Sequence, residues 1–375
     1  TGVPTNTSLV WNIAAFATDY DVYFGTSPSN MPRVANVPAQ LVNNPPLTYS
    51  WAPSPPLCTG TTYYWLVVSR TNATPVNPAI SAGSSTQSFT TVGAQSSCSS
   101  RPGDFYGDGR ADTTVFRPSN ATWYIRDPAT GTTSNFQWGN GADVPVPGDY
   151  DGDGKADIAV FRPFNGTWYV VRSSDGTGFA VQWGIGSDIP VPGDYDGDRK
   201  TDLAVFRPSN GAWYIIRSSD GLVTLSWWGV ARDIPVVGDY DGDGKADISV
   251  FRPSTGMWYV VLSGGGYLIT QWGNRADDVP VPGDYDGDGK TDVAVFRPSS
   301  GAWYCRPSRG GPYIARQWGI GSDVPVPGDY DGDGKTDFAV FRPSNGSWYL
   351  WYSSTGTAAV FQWGTGSDVP ILKRP

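Results

Sequence analysis

The chain has 375 residues, of which 16% are charged and 14% aromatic, and a formal net charge of −9. It has no His and no Glu, so all 35 acids are Asp. These absences exclude an imidazole base, a Ser-His-Asp triad and His-ligated zinc, and the negative charge argues against nucleic-acid or anionic-membrane partners. No apolar stretch is long enough for a membrane-spanning helix, so membrane insertion is not expected. Gly and Pro number 47 and 32, too much turn chemistry for a helical protein. Val, Thr, Tyr, Trp and Phe favour strands. The expected class is all-β.

Residues 1–95 read as short alternating strands at 8–11, 21–24, 48–51, 63–68 and 87–91, separated by Pro- and Asn-rich loops. This is sandwich patterning. The stretches YDVYFGTSP, LCTGTTYYWLVV and SFTT resemble the third, sixth and seventh strands of a bacterial fibronectin type III domain. Segment 8–11 is similar to its second strand, which leaves too little chain for a first. Residues 96–101 read as a linker. Cys58 and Cys98 could form a disulfide tying the sandwich to it. Cys305 reads as a buried free thiol.

Residues 102–375 repeat. The segment GDYDGDGKAD recurs with its Asp run starting at Asp104, Asp149, Asp194, Asp239, Asp284 and Asp329, at steps of 45 residues. Strand-rich units of this period predict a β-propeller, and six copies predict six blades. In the second copy, strands are expected at 144–150, 157–162, 167–172 and 179–183. Asn165-Gly166, Asn210-Gly211 and Asn345-Gly346 suit type I′ turns. The C-terminal segment 367–371 copies the start of a first strand and is expected to close the ring on the first blade.

Asp149, Asp151, Asp153 and Asp157 form D-x-D-x-D-G-x-x-D. Spacing by two lets carboxylates converge on one hard cation, with Gly154 permitting the turn; this is the logic of calcium loops. With these residues the units resemble FG-GAP repeats, as in the integrin α-subunit propeller and secreted bacterial proteins. The resemblance implies Ca²⁺ ligands at those four positions and at Asp239, Asp241, Asp243 and Asp247, at Asp284, Asp286, Asp288 and Asp292, and at Asp329, Asp331, Asp333 and Asp337. The third copy keeps Asp194, Asp196, Asp198 and Asp202 but has Arg199 at the turn Gly. The first has Tyr106 in place of a carboxylate and keeps Asp104, Asp108 and Asp112. Both are expected to bind more weakly, the first least or not at all, giving about five Ca²⁺. These loops hold 23 of the 35 Asp, and such clusters repel without a cation.

Trp123, Trp168, Trp213, Trp258, Trp303 and Trp348 recur on third strands. Trp138, Trp183, Trp228, Trp272, Trp318 and Trp363 follow the fourth. They read either as packing between blades or, for the second set, as faces that stack on sugar rings. Arg117, Arg162, Arg207, Arg252, Arg297 and Arg342 recur with Asp143, Asp188, Asp233, Asp278, Asp323 and Asp368. They form either bidentate pairs or a polar pocket for a glycan. The face opposite the calcium loops carries the changes between copies (Phe164, Met257, Arg232 and Arg275) and is the candidate binding surface. The resemblances imply a secreted, extracellular or cell-surface recognition and adhesion protein that binds glycan or protein and is not an enzyme. One alternative is a self-assembling subunit of an extracellular filament or sheath. Another is the accessory part of a polysaccharide-degrading enzyme.

Overall fold

The computed structural model describes residues 103–273 and 277–372, and residues 2–3, 9–12, 19–25, 33–38, 48–51, 62–70, 80–81 and 85–91. Cys58, Cys98 and Arg275 lie outside the described residues. The chain divides into two compact units, Thr1–Cys98 and Ser99–Pro375. Among the described residues every regular element is a strand. Among the described residues no helix is long and apolar enough to cross a membrane.

The first unit contains β1 (Gly2–Val3), β2 (Leu9–Asn12), β3 (Asp19–Gly25), β4 (Arg33–Pro38), β5 (Thr48–Trp51), β6 (Thr62–Arg70), β7 (Ile80–Ser81) and β8 (Gln87–Thr91). One sheet runs β1-β8-β6-β3-β4, with β7 also on β6; β2 and β5 form a second. Alternation along β3 sends Tyr20, Val22 and Phe24 into a core with Leu9 and Val67. The sequence reading left too little chain for a first strand; a two-residue strand nevertheless precedes β2, with Gly2 and Val3 paired in parallel with Thr90 and Thr91 of β8.

The second unit holds six four-stranded antiparallel sheets. Sheet II consists of Val144–Pro145, Ile158–Arg162, Thr167–Val171 and Gly178–Gln182. Sheets III to VI repeat it, with second strands Leu203–Arg207, Ile248–Arg252, Val293–Arg297 and Phe338–Arg342. Sheet I takes Thr113–Arg117, Thr122–Arg126 and Thr133–Gln137 from the start of the unit and its remaining strand, Val369–Pro370, from the C-terminal end. First strands are shorter than the sequence suggests. Pro145 and Pro147 have no N–H to give the ladder, so after Pro145 the pairing continues only through Val146 and a bridge from Gly148 to Asp157.

The Asn-Gly turns also differ from expectation. Four residues, 163–166, separate the paired Arg162 and Thr167. Gly166 has positive φ (63°) and Asn165 does not. Asn165 and Gly166 N–H both return to the Arg162 carbonyl, at 3.3 and 2.9 Å. Pro163 presets an ordinary type I turn, and the following glycine takes the left-handed position; a type I′ pair would need both residues there.

Apolar clusters fill the gaps between successive sheets. Phe161, Trp168 and Val170 of sheet II pack with Leu203 and Val205 of sheet III, and Phe341 and Trp348 of sheet VI pack with Ala111 and Val115 of the first repeat. All six third-strand Trp are fully buried. Cys305 is a buried free thiol in one of these clusters.

Candidate metal centres

The loop between the first and second strands of sheet II is tied by its own carboxylates. Asp149 Oδ1 accepts from Gly152 N at 2.6 Å and Oδ2 from Gly154 N at 2.9 Å. Both glycines have positive φ, 84° and 88°, which turns the chain around the carboxylate. Asp157 Oδ2 accepts from Tyr150 N at 2.8 Å and Oδ1 from Ser173 N at 2.6 Å. Ser174 Oγ donates to Asp151 Oδ2 at 2.6 Å.

Five loops bring three carboxylates together with ligand oxygens within 4.8 Å of one another: Asp149, Asp151 and Asp157; Asp194, Asp196 and Asp202; Asp239, Asp241 and Asp243; Asp284, Asp286 and Asp292; Asp329, Asp331 and Asp333. A Ca²⁺ bonded at about 2.3–2.6 Å to each ligand bridges oxygens up to about 5 Å apart, so the donor set and spacing fit a hard divalent cation. Asp286 Oδ2 is buried with no hydrogen-bond partner, an acceptor that a cation would satisfy. Asp153, Asp198, Asp247, Asp288 and Asp337 share these loops but fall outside the triads. Burial pushes the carboxyls of Asp149, Asp292 and Asp337 up to about 7, and neighbouring Asp charges add to the effect. Without a cation these groups hold protons far above the usual carboxylate range.

The serines were missed by sequence reasoning. Ser173, Ser218, Ser263, Ser308 and Ser353 each donate a backbone N–H to the last Asp of their loop. The repeated Ser five residues after each third-strand Trp was the available signal. In the first copy that position is Pro128, which has no N–H. Asp112 Oδ1 is left buried without a partner, and burial raises its carboxyl to about 7. The Tyr106 hydroxyl leaves its loop for Ser134 Oγ at 3.1 Å. Asp104, Asp108 and Asp112 are not among the triads. In the third copy Arg199 takes the glycine's place at φ 71°, and its N–H still reaches Asp194 Oδ2 at 2.8 Å. In sheet V Arg309 replaces the second serine and pairs with Asp286 Oδ1 at 2.8 Å.

The loops are joined to one another. Ala156 N donates to Asp104 O, Thr201 N to Asp149 O, Ala246 N to Asp194 O, Thr291 N to Asp239 O, Thr336 N to Asp284 O and Ala111 N to Asp329 O, at 2.6–2.7 Å. The Lys200 side chain lies against Gly152, and Arg110 of the first loop lies against Gly332 of the last.

The second Trp set sits between sheets. Trp138 Nε1 donates to Tyr169 O of the next sheet at 3.2 Å, and Trp363 Nε1 to Tyr124 O of sheet I at 3.3 Å. Trp183, Trp228, Trp272 and Trp318 make the same contact with their neighbours. The Arg and Asp register forms bidentate pairs. Arg162 Nε and Nη2 each donate to Asp143 at 2.8 Å, and the pair recurs in every sheet. Each guanidinium covers a Tyr ring, Arg162 lying 4.3 Å from the Tyr169 centroid.

The family model described as FG-GAP-like repeat matches residues 104–160, 149–205 and 194–250, and that of the FG-GAP repeat matches residues 279–312. Residues 104–250 and 279–312 carry FG-GAP repeats. Those matches include the Asp loops of five copies, starting at Asp104, Asp149, Asp194, Asp239 and Asp284. No curated protein matches the chain. Similar solved structures include a streptogramin B lyase (9% identity, TM-score 0.45, covering 68% of this chain and 83% of that one). A virginiamycin B lyase from Staphylococcus aureus has 7% identity and TM-score 0.43, covering 69% and 87%. A functionally unknown protein from Desulfotomaculum acetoxidans has 12% identity and TM-score 0.43, covering 68% and 80%.

Proposed function

We propose that this chain is a secreted, extracellular recognition module and not an enzyme. In this reading its FG-GAP repeats form a six-bladed propeller held by about five Ca²⁺, and its other unit is a fibronectin type III-like sandwich. The observation that carries the reading is the set of five Asp triads, each at the same place in its sheet and each of a size that fits one cation. The β8-β6-β3-β4 order and the separate β2–β5 pair support the sandwich assignment. The first two Asp of each of these loops would hold the ion together with the fourth (Asp157, Asp202, Asp292) or the third (Asp243, Asp333). The bound ion supplies positive charge that lets buried carboxylates stay ionised and closes each loop. Glycan or protein would then be met by the opposite face, where the copies differ most.

Thermal unfolding with Ca²⁺ and after chelation with EGTA tests the reading. Linkage gives roughly 2.7 kcal/mol per site at a hundredfold excess over Kd, so chelation should lower the melting temperature markedly. An unchanged melting curve after thorough chelation would refute it.

A further inference from the structure

The six repeats act as internal controls for one another. A side chain that every copy needs for folding recurs in every copy, so a large exposed one that appears once calls for another reason. Phe164 is such a residue. It is 97% exposed, and the corresponding positions are Ser119, Ser209, Ser254, Ser299 and Ser344. The turn does not need it. Asn165 N and Gly166 N reach Arg162 O at 3.3 and 2.9 Å, and Asn210 N and Gly211 N reach Arg207 O at the same two distances with Ser209 between.

The turn that carries Phe164 starts at Arg162, a wall residue of a cleft. Gln137, Trp138 and Gly139 from the edge of sheet I and Arg162 and Tyr169 from sheet II line an opening of about 350 Å³, near the small end of the ligand-pocket range of about 300–1,000 Å³. Phe164 lies in the turn that follows Arg162, and its neighbour Asn165 hydrogen-bonds the Tyr169 hydroxyl at 3.1 Å. The turn is therefore tied to the cleft wall. The only cation in the wall is neutralised, since Arg162 is held by both oxygens of Asp143. What the cleft offers is aromatic surface and polar groups without net charge. That combination suits a ring with one face of C–H groups and a rim of hydroxyls.

We infer that the cleft between sheets I and II binds a neutral sugar ring, with Phe164 stacking on it. This rests on the recognition reading and assigns its site and ligand class. The other lone exposed aromatic of this kind is Trp227, 70% exposed where the remaining sheets carry Gln137, Gln182, Gln271, Gln317 and Gln362. It belongs to the outer strand of sheet III, is not among the lining residues, and serves as the control.

The test is a printed array of neutral and acidic mono- to tetrasaccharides, probed with the full chain in Ca²⁺ and followed by calorimetry on the saccharides bound. Wild type should bind neutral sugars. Phe164→Ser should weaken that binding roughly tenfold or more, as loss of an aromatic contact from a small site does. Its melting temperature should not change, because five copies already make this turn with Ser. Trp227→Gln should bind as wild type does. Saccharide binding that survives Phe164→Ser, that is lost in Trp227→Gln, or that is confined to acidic sugars overturns the inference and leaves the recognition reading standing. Absence of binding to every saccharide overturns both the inference and the glycan part of that reading.

Discussion

The Thr201 backbone N–H donates to the Asp149 carbonyl at 2.6 Å, so a residue of the sheet II triad is held by the loop of sheet III. The same bond recurs between all successive loops, from Ala156 to Asp104 round to Ala111 and Asp329. An ion that orders one loop lowers the entropy its neighbour still has to lose. Calcium titration of chelated protein should therefore be cooperative, with a Hill coefficient above 1 and a coupling of about 1–3 kcal/mol between neighbours. Calorimetry giving independent sites would contradict this.

Acid should act in opposite directions on the ion-free and ion-loaded chain. Burial raises the folded-state carboxyls of Asp149, Asp292 and Asp337 to about 7 and those of Asp157, Asp202 and Asp239 to about 6. A group whose folded pKa lies above its unfolded value adds stability at low pH and loses it as pH rises through the folded pKa. Chelated protein should thus melt at progressively lower temperature from about pH 4 to pH 7. With saturating Ca²⁺ the carboxylates are already ionised, and that fall should vanish; acid should instead release the ions. Melting temperatures across this window in EGTA and in Ca²⁺ check both arms.

Arg199→Gly should stabilise the chain. Arg199 occupies a left-handed conformation (φ 71°) that disfavours a side chain by roughly 1–2 kcal/mol, whereas the equivalent Gly154 adopts φ 88°. Part of the gain is offset by the freer unfolded glycine. The expected net effect is about 1 kcal/mol, read as a raised midpoint in denaturant at constant slope.

Asp188→Ala should be among the most harmful single changes. Asp188 is fully buried as a side chain and holds Arg207, and removing one partner of a buried pair costs about 3–5 kcal/mol. Replacing both residues, Asp188→Leu with Arg207→Met, should recover part of that loss. A double variant less stable than Asp188→Ala would show that Arg207 keeps a role through Tyr214, which it covers at 4.3 Å.

Architecture was legible in the sequence because repetition amplifies weak signals. One D-x-D-x-D run is ambiguous, but six at a fixed step locate the loops, the strands after them and the buried Trp of each third strand. Pairings between copies were not legible. Nothing in the spacing of Trp138 and Tyr169 says that an indole will reach the next sheet's carbonyl, and nothing in the Asp loop names Ser173 as the donor to Asp157. Those contacts depend on how separate segments meet in space. The shortened first strands were readable in principle from Pro145 and Pro147, since a residue without an N–H cannot extend a ladder.

The strand Val369–Pro370 completes sheet I against Phe116 and Val115, and Asp368 supplies the partner of Arg117. During synthesis the first three strands of that sheet emerge more than 200 residues before their fourth. Until residues 368–371 leave the ribosome, Arg117 lacks its carboxylate and sheet I lacks an edge. Sheet I is therefore completed only once the last repeat has been made, and until then Val115 and Phe116 have no partner strand on that side.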